Sequence, residues 1–275
     1  MTARSDHRAP TDVAELVALA RSGVIGPDPA ECRVSVAFTT TQGARHVSRG
    51  RAYRNTVISV RVGEAVGSCA VEPDRTGADV TDCVGEAVAD LLTHPDAAIR
   101  TAVLDAYLMN AHPHESSARQ VVVGPGDSLA KSMARASAVV DLLDAVPGQR
   151  VLVVGVVNSL LHHLRARGLR YVPCDLKGGR TEWDEPVVTD AEAAVADCDL
   201  VLASGMTVGN GSFEPLLRTA VAAGRPVVVF AQTASAIVPW FLGSGVTAVS
   251  AEPYPFFWLH GGPTTLHHYR AERVG

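Results

Sequence analysis

The sequence is nearly without lysine: of its 24 basic residues only Lys131 and Lys177 are not arginine. The arginines are scattered, with no stripe or patch, and the net charge is −5. A phosphate backbone needs a basic surface, so a nucleic-acid partner is not expected. Five cysteines, Cys32, Cys69, Cys83, Cys174 and Cys198, are widely spaced and form no C-x-x-C pair. That excludes a disulfide framework and a zinc ribbon and favours a cytosolic, cytoplasmic protein. The first residues, MTARSDHRAPTD, lack the apolar core of a signal peptide. No apolar run approaches the roughly 20 residues of a membrane span, so no membrane association is expected.

Several catalytic signatures are missing as well. There is no G-x-S-x-G, no G-x-x-x-x-G-K-[ST], no H-E-x-x-H and no H-x-E followed by C-x-x-C. Each is the local geometry of a particular chemistry: a nucleophile elbow, a phosphate cradle, a zinc pair. The dinucleotide fingerprint G-x-G-x-x-G is reduced to its first glycine, Gly155, because Val157 stands where the second would admit a pyrophosphate. A nicotinamide cofactor is therefore not expected.

What is present is a large apolar content, 47% of 275 residues, enough for two modest domains. Residues 1–11 read as a disordered lead-in. A helix opens at Asp12 and stops near Gly23. Stretches 33–41, 55–63 and 65–73 alternate apolar and polar residues, with Gln42–Gly43 as a turn, which predicts an antiparallel meander. Two helices follow, over 80–92 and 97–111. The polar segment 112–120 is taken as the boundary region. This gives a smaller α+β domain over 12–118. Beyond it the pattern changes to strand–helix alternation with continuous apolar strands at 150–155, 169–175, 199–205, 226–232 and 245–253. The intervening helices lie over 128–146, 158–168, 190–198, 213–224 and about 236–242. Such alternation predicts right-handed crossovers and a parallel sheet, hence a Rossmann-like α/β domain over 119–275.

In open parallel sheets the ligand crevice lies outside the carboxyl ends of the strands. That rule selects the candidate ligand-binding residues Gly155, Asn158, Ser159, Asp175, Ser204, Gly205, Thr207, Asn210, Ser212 and Gln232. Asn158 or Ser159, and Ser212, are candidate helix caps whose helices would favour an anion. Asp175 ends the second strand, twenty positions after Gly155, where a carboxylate can receive a ribose diol or an amine; a turn-capping role is equally open. The glycine- and hydroxyl-rich segment 204–212 is read as a ligand loop in preference to a tight turn. Asn158, Asp175, Thr207, Asn210 and Gln232 are expected to converge on one pocket, with the smaller domain closing one side. His112 and His114, with Cys174 at a strand end, are the candidate metal ligands.

Four segments carry a family resemblance. RVLVVGVVNSLLHHLRARG, the strand ending Cys174–Asp175, DLVLASGMTVGNGS and PVVVFAQTASAIVPWFLGSGV together resemble a bacterial and archaeal family described as "putative heavy-metal chelation". Ser204–Ser212 is similar to that family's T-G-x-x-x-x-N-G-T loop, with serines keeping the hydroxyls. The meander and helices, including LMNA at 108–111, resemble the enolase N-terminal fold. The resemblance implies a Rossmann-like domain behind an enolase-N-terminal-like one, and a metal as one ligand class. Two functions from different classes stand side by side. One is binding of, and catalysis on, a small polar metabolite of lyase or transferase type, such as S-adenosylmethionine or another nucleoside-bearing or amino-acid ligand. The other is non-catalytic binding of a transition metal or metal–metabolite complex. No side chain is assigned a catalytic role, and a homodimer is the one protein partner considered.

Overall fold

The computed structural model describes residues 9–45, 52–72 and 79–271; most of the N-terminal lead-in lies outside them. The first helix, α1 (Val13–Arg21), starts at Asp12, whose carboxylate accepts from the Glu15 N–H at 2.7 Å. Strands β1 (Val34–Arg45), β2 (Ala52–Val62) and β3 (Ala65–Val71) form an antiparallel sheet in that order. Gln42 and Gly43 are not a turn. They pair with Asn55 and Arg54 inside the ladder, where their backbone groups find partners on β2. The chain reversal falls outside the described residues.

The helix expected over 80–92 is also broken. A 3-10 turn at Val80–Cys83 is followed by α2 (Val88–Leu91). Between them the chain pairs with the start of β1: Gly85 N–H donates to Val34 O at 2.9 Å and Val34 N–H to Glu86 O at 3.1 Å. Helical periodicity lost there to strand pairing. The next helix, α3 (Ala97–Ala111), has the expected bounds and is capped by Asp96.

The second sheet is built from β4 (Arg119–Val123), then α4 (Ser128–Val140), β5 (Arg150–Val154), α5 (Asn158–Ala166), β6 (Arg170–Cys174), α6 (Ala191–Ala194), β7 (Leu200–Ser204), α7 (Met206–Gly209), α8 (Phe213–Ala222), β8 (Val227–Ala231), β9 (Val246–Ala251) and β10 (Thr264–Arg270). Its order is β4-β10-β9-β8-β7-β5-β6. The five strands β5 to β9 are parallel, as the apolar runs require. Two antiparallel strands extend them on the β9 side, β10 beside β9 and β4 at the edge. Sequence reading missed both, because β4 is short and lay within the presumed linker. The helix expected over 128–146 ends at Val140, and that at 236–242 is a 3-10 turn, Val238–Phe241. Among the described residues no helix is long and apolar enough to cross a membrane.

One face of the seven-stranded sheet packs on α4 and α5 through Val151, Val153, Leu202 and Phe230. The other face, with Leu152, Val201 and Val229, belongs to a core continuous with that of the three-stranded sheet. We propose a domain division at 118/119 on this topology, with the two domains sharing that core.

Helix α3 is the shared element. Eleven of its fifteen residues are buried, so it is covered on more than one side. Gly67 of β3 allows the helix to lie directly on the sheet, since a Cβ there would sit 1.9 Å from the Ala106 nitrogen. At the centre is Asp105, 1% exposed. Its Oδ2 accepts from Ser68 N–H in β3 at 2.9 Å, and its Oδ1 from Ala236 N–H, after β8, at 2.7 Å. The Ile237 N–H adds a further bond. Ala234 N–H donates to Ser68 O at 3.0 Å and closes the joint.

Burial pushes the Asp105 carboxyl up to about 7, against the three backbone bonds that favour its charged form. In Asp105→Asn an amide N–H must face a backbone N–H. We expect a loss of about 1–3 kcal/mol at pH 7 by urea unfolding, and more for Asp105→Ala. The raised value also sets a sign. The native state holds the proton that the unfolded chain releases above about pH 4, so this group's contribution to stability declines as pH rises from about 4 through 7. The wild-type advantage over Asp105→Asn should therefore narrow across that interval; a widening gap would show that the N–H bonds outweigh desolvation.

Candidate functional site

Within the parallel strands the order β6-β5-β7-β8-β9 reverses direction of growth between β5 and β7. That is the topological switch point, where the loops leaving adjacent strands part and open a crevice. Two adjoining cavities lie there, both bordered by Gly155 after β5, Ser204 at the end of β7, and Asp175 after β6.

The smaller, of about 240 Å³, is closed on one side by the three-stranded sheet. Gln42 and Asn55, opposite each other in the β1–β2 register, face it together with Val57 and Ala70. From the sequence-selected set, Gly155, Asn158, Ser159, Asp175, Ser204 and Gln232 line it. The larger, of about 460 Å³, is bordered by Gly155, Asp175, Ser204, Thr207, Asn210 and Ser212, with Cys174. The five residues expected in one pocket are thus divided. Asn158 and Gln232 face the smaller cavity, Thr207 and Asn210 the larger, and Asp175 both.

The local chemistry explains the division. Residues 204–212 are not an open loop: they contain α7. Thr207 is 3% exposed and donates its hydroxyl to Ser204 O at 2.7 Å, while Asn210 Oδ1 accepts from the N–H and hydroxyl of Ser212. Gly209 packs on β3, where a Cβ would lie 2.4 Å from Cys69 Sγ. Gly205 packs instead against Ala231 and Thr233, at and just after the end of β8, and borders neither cavity; its N–H donates to Phe230 O. Helix α5 is capped by Val157 with no side-chain bond, and Asn158 instead accepts from Glu182 N–H at 3.4 Å. Ser212 is the N-cap of α8 but likewise makes no side-chain cap bond.

Asp175 accepts from Lys177 N–H at 3.1 Å and, at 3.4 Å, from Val156 N–H. Lys177 Nζ reaches Glu72, just beyond β3, at 3.0 Å and ties the β6 loop to the other sheet. Both partners are partly exposed, so the bridge positions more than it stabilises. Residues that sequence reading did not select complete the smaller cavity. Ser132 and Arg135 come from α4, Glu182 from the loop after β6, and Phe256, Phe257 and Trp258 from the segment after β9. The aromatic triplet was the available signal, since aromatics are only 5% of the chain. Gln42 and Asn55 carried none: Gln42 read as part of a turn, and a polar residue at the start of an alternating strand, like Asn55, reads as solvent-facing.

The three candidate metal ligands are not brought together. His112 Nε2 bonds Ile25 O at 2.7 Å and its ring meets Trp240 edge to face. His114 is buried, with Nδ1 2.6 Å from the Tyr269 hydroxyl and its ring stacked on His267. Neither borders a cavity that Cys174 borders. Burial, then the charges of Asp175 and Asp190, push the Cys174 thiol up to about 11. A thiolate, the form that binds a soft metal, is disfavoured there. Among the described residues no three His, Cys, Asp or Glu side chains form a metal-holding group.

Residues 138–251 match the model of the DUF364 family, described as "putative heavy-metal chelation". Two solved DUF364 proteins of unknown function are similar over most of the chain. One, from Desulfitobacterium hafniense, is 16% identical, with 92% of this chain and 98% of that one covered at a TM-score of 0.61. The other, from Pyrococcus horikoshii, is 13% identical, with 83% and 92% covered at a TM-score of 0.50. At these identities the likeness is one of fold. No curated protein matches the chain. The DUF364 match includes β5 to β9 and so every parallel strand end that borders the cavities.

Cys174, 2% exposed, should resist alkylation in the native protein. Iodoacetamide at pH 8 followed by peptide mass mapping is expected to label Cys174 at least tenfold more slowly than in urea, by an order-of-magnitude argument from thiolate fraction and access. Equal rates would mean an accessible thiolate and would return Cys174 to the set of candidate ligands.

Proposed function

We propose that the protein binds a small polar metabolite with a planar portion in the smaller cavity and acts on it as a lyase or transferase. S-adenosylmethionine, or another nucleoside-bearing or amino-acid ligand, is the class that fits. The observation that carries the reading is the pairing of Asp175, at the end of the second parallel strand, with the aromatic residues Phe257 and Trp258 around one cavity at the switch point. A carboxylate in that position accepts hydrogen bonds from a ribose diol or a ligand amine. Aromatic faces take a planar ring. Gln42, Asn55, Asn158 and Gln232 add amide donors and acceptors that can read polar edges.

The alternative is a transition metal or a metal–metabolite complex bound without catalysis. It is favoured by the description of the DUF364 family. The donors around the cavities are mainly oxygens, among them Asp175 and Glu182 in the smaller and Asp175, Asp190 and Glu192 in the larger. Such a set suits a metal that arrives already held by a metabolite better than a bare soft cation.

Thermal-shift screening separates the readings. A ligand at a hundredfold excess over its Kd adds about 2.7 kcal/mol to the native state. S-adenosylmethionine, S-adenosylhomocysteine or adenosine should raise Tm, and Asp175→Asn should weaken that ligand roughly tenfold or more, the worth of a hydrogen bond to a charged group. No shift with any nucleoside or amino acid, together with metal found in untagged protein, would move the conclusion to the alternative.

A further inference from the structure

The geometry points to Arg135 as the receptor for an anionic group, a carboxylate or phosphate, on the ligand of the smaller cavity. The inference rests on the cavity's being a metabolite site and adds what kind of metabolite it takes. Arg135 projects from α4, is 4% exposed and lines that cavity. Its Nε donates to Glu252 Oε2 at 2.6 Å. Glu252 is engaged on both oxygens: Oε2 also accepts from Gln232 Nε2 at 3.2 Å, and Oε1 from Phe257 N–H at 2.9 Å. The guanidinium carbon sits 5.7 Å from the ring centroids of both Phe230 and Phe257. The side chain is therefore held from its Nε edge and by two rings.

Among the described residues the only hydrogen bond from the guanidinium is this one through Nε. Its two Nη groups, which form a planar donor fork, have no acceptor on those residues. A carboxylate or phosphate matches that fork. The neighbouring wall has the same preference. Ser132 and Ser159, whose hydroxyl oxygens are 2.9 Å apart, line the cavity beside the start of α5, where the helix dipole favours negative charge. The Asp175 and Glu182 carboxylates lie on the same cavity and disfavour a second anion. The ligand is thus an anion at the Arg135 end and a donor or cation at the Asp175 end, with its planar part against the aromatic residues.

The test compares benzoate with benzamide, which share a ring and differ in charge, and adds inorganic phosphate as a second anion. Removing Arg135 alone would strand Glu252, so the double variant Arg135→Gln/Glu252→Gln is used, with Arg135→Lys as a variant that keeps a charge for Glu252 and loses the fork. By thermal shift and calorimetry, wild type should prefer benzoate over benzamide by roughly tenfold or more, the worth of a charge-assisted bond. The double variant should show no preference and Arg135→Lys a reduced one. If the double variant fails to fold, the Arg135→Lys result decides. Stabilisation by phosphate rather than benzoate, lost in the same variants, would identify the anion as a phosphate. Wild type without preference for either anion, or a preference that survives both substitutions, would overturn the assignment. Adenosine tests the nucleoside reading in parallel: its failure to bind beside an Arg135-dependent anion preference removes the nucleoside and keeps the anion, and the converse result does the reverse.

Discussion

A single buried carboxylate joins the two sheets. Asp105 sits in a helix that belongs by sequence to the first sheet, yet it accepts backbone N–H groups from both Ser68 and Ala236. Ser68 lies on β3 and Ala236 in the segment after β8, so one side chain, with the bond from Ala234 N–H to Ser68 O, ties the two segments together. Burying a carboxyl group is unfavourable unless hydrogen bonds replace part of its hydration, and here the donors are backbone N–H groups. The apolar core spanning both sheets supplies attraction without direction. Asp105 supplies the direction.

The cavity depends on that alignment. Its far wall, Gln42, Asn55 and Val57, stands on β1 and β2, whereas Asp175, Ser204 and Gln232 stand at the ends of parallel strands. Gly209 against Cys69 is a second fixed point between the same two units. The glycine- and hydroxyl-rich segment after β7 thus packs on the other sheet through Gly209 and contributes Thr207 and Asn210 to the larger cavity only. A segment rich in glycine and hydroxyls is equally suited to close packing and to ligand contact, because both need backbone approach without a bulky side chain.

Around the smaller cavity the polar groups are of mixed charge. The Asp175 and Glu182 carboxylates, the amides and Arg135, itself bonded to Glu252, share the cavity with the aromatic residues. The arginine is held by a carboxylate and two rings, which preorganises it before any ligand arrives. Cys174, by contrast, is placed where burial and neighbouring carboxylates keep it a thiol.

The sequence by itself determined the elements whose causes are local. Continuous apolar runs at β5, β7 and β8 dictate strands covered on both faces, and strand–helix alternation dictates their parallel order. The caps at Asp12, Asp96 and Asp127 follow from one carboxylate meeting one N–H a few residues away. The rule that ligands lie beyond strand ends located Asp175, Asn158 and Gln232 on a cavity before any coordinates. Only the tertiary structure decided which partners distant segments find. Residues 84–87 pair with β1 instead of continuing a helix, because the free groups of Val34 lie beside them. Strand β10 returns antiparallel between β4 and β9. Arg135 reads in the sequence as one more position of an amphipathic helix; its partner Glu252 is 117 residues away, and that separation gives no local periodicity from which the pair could be inferred.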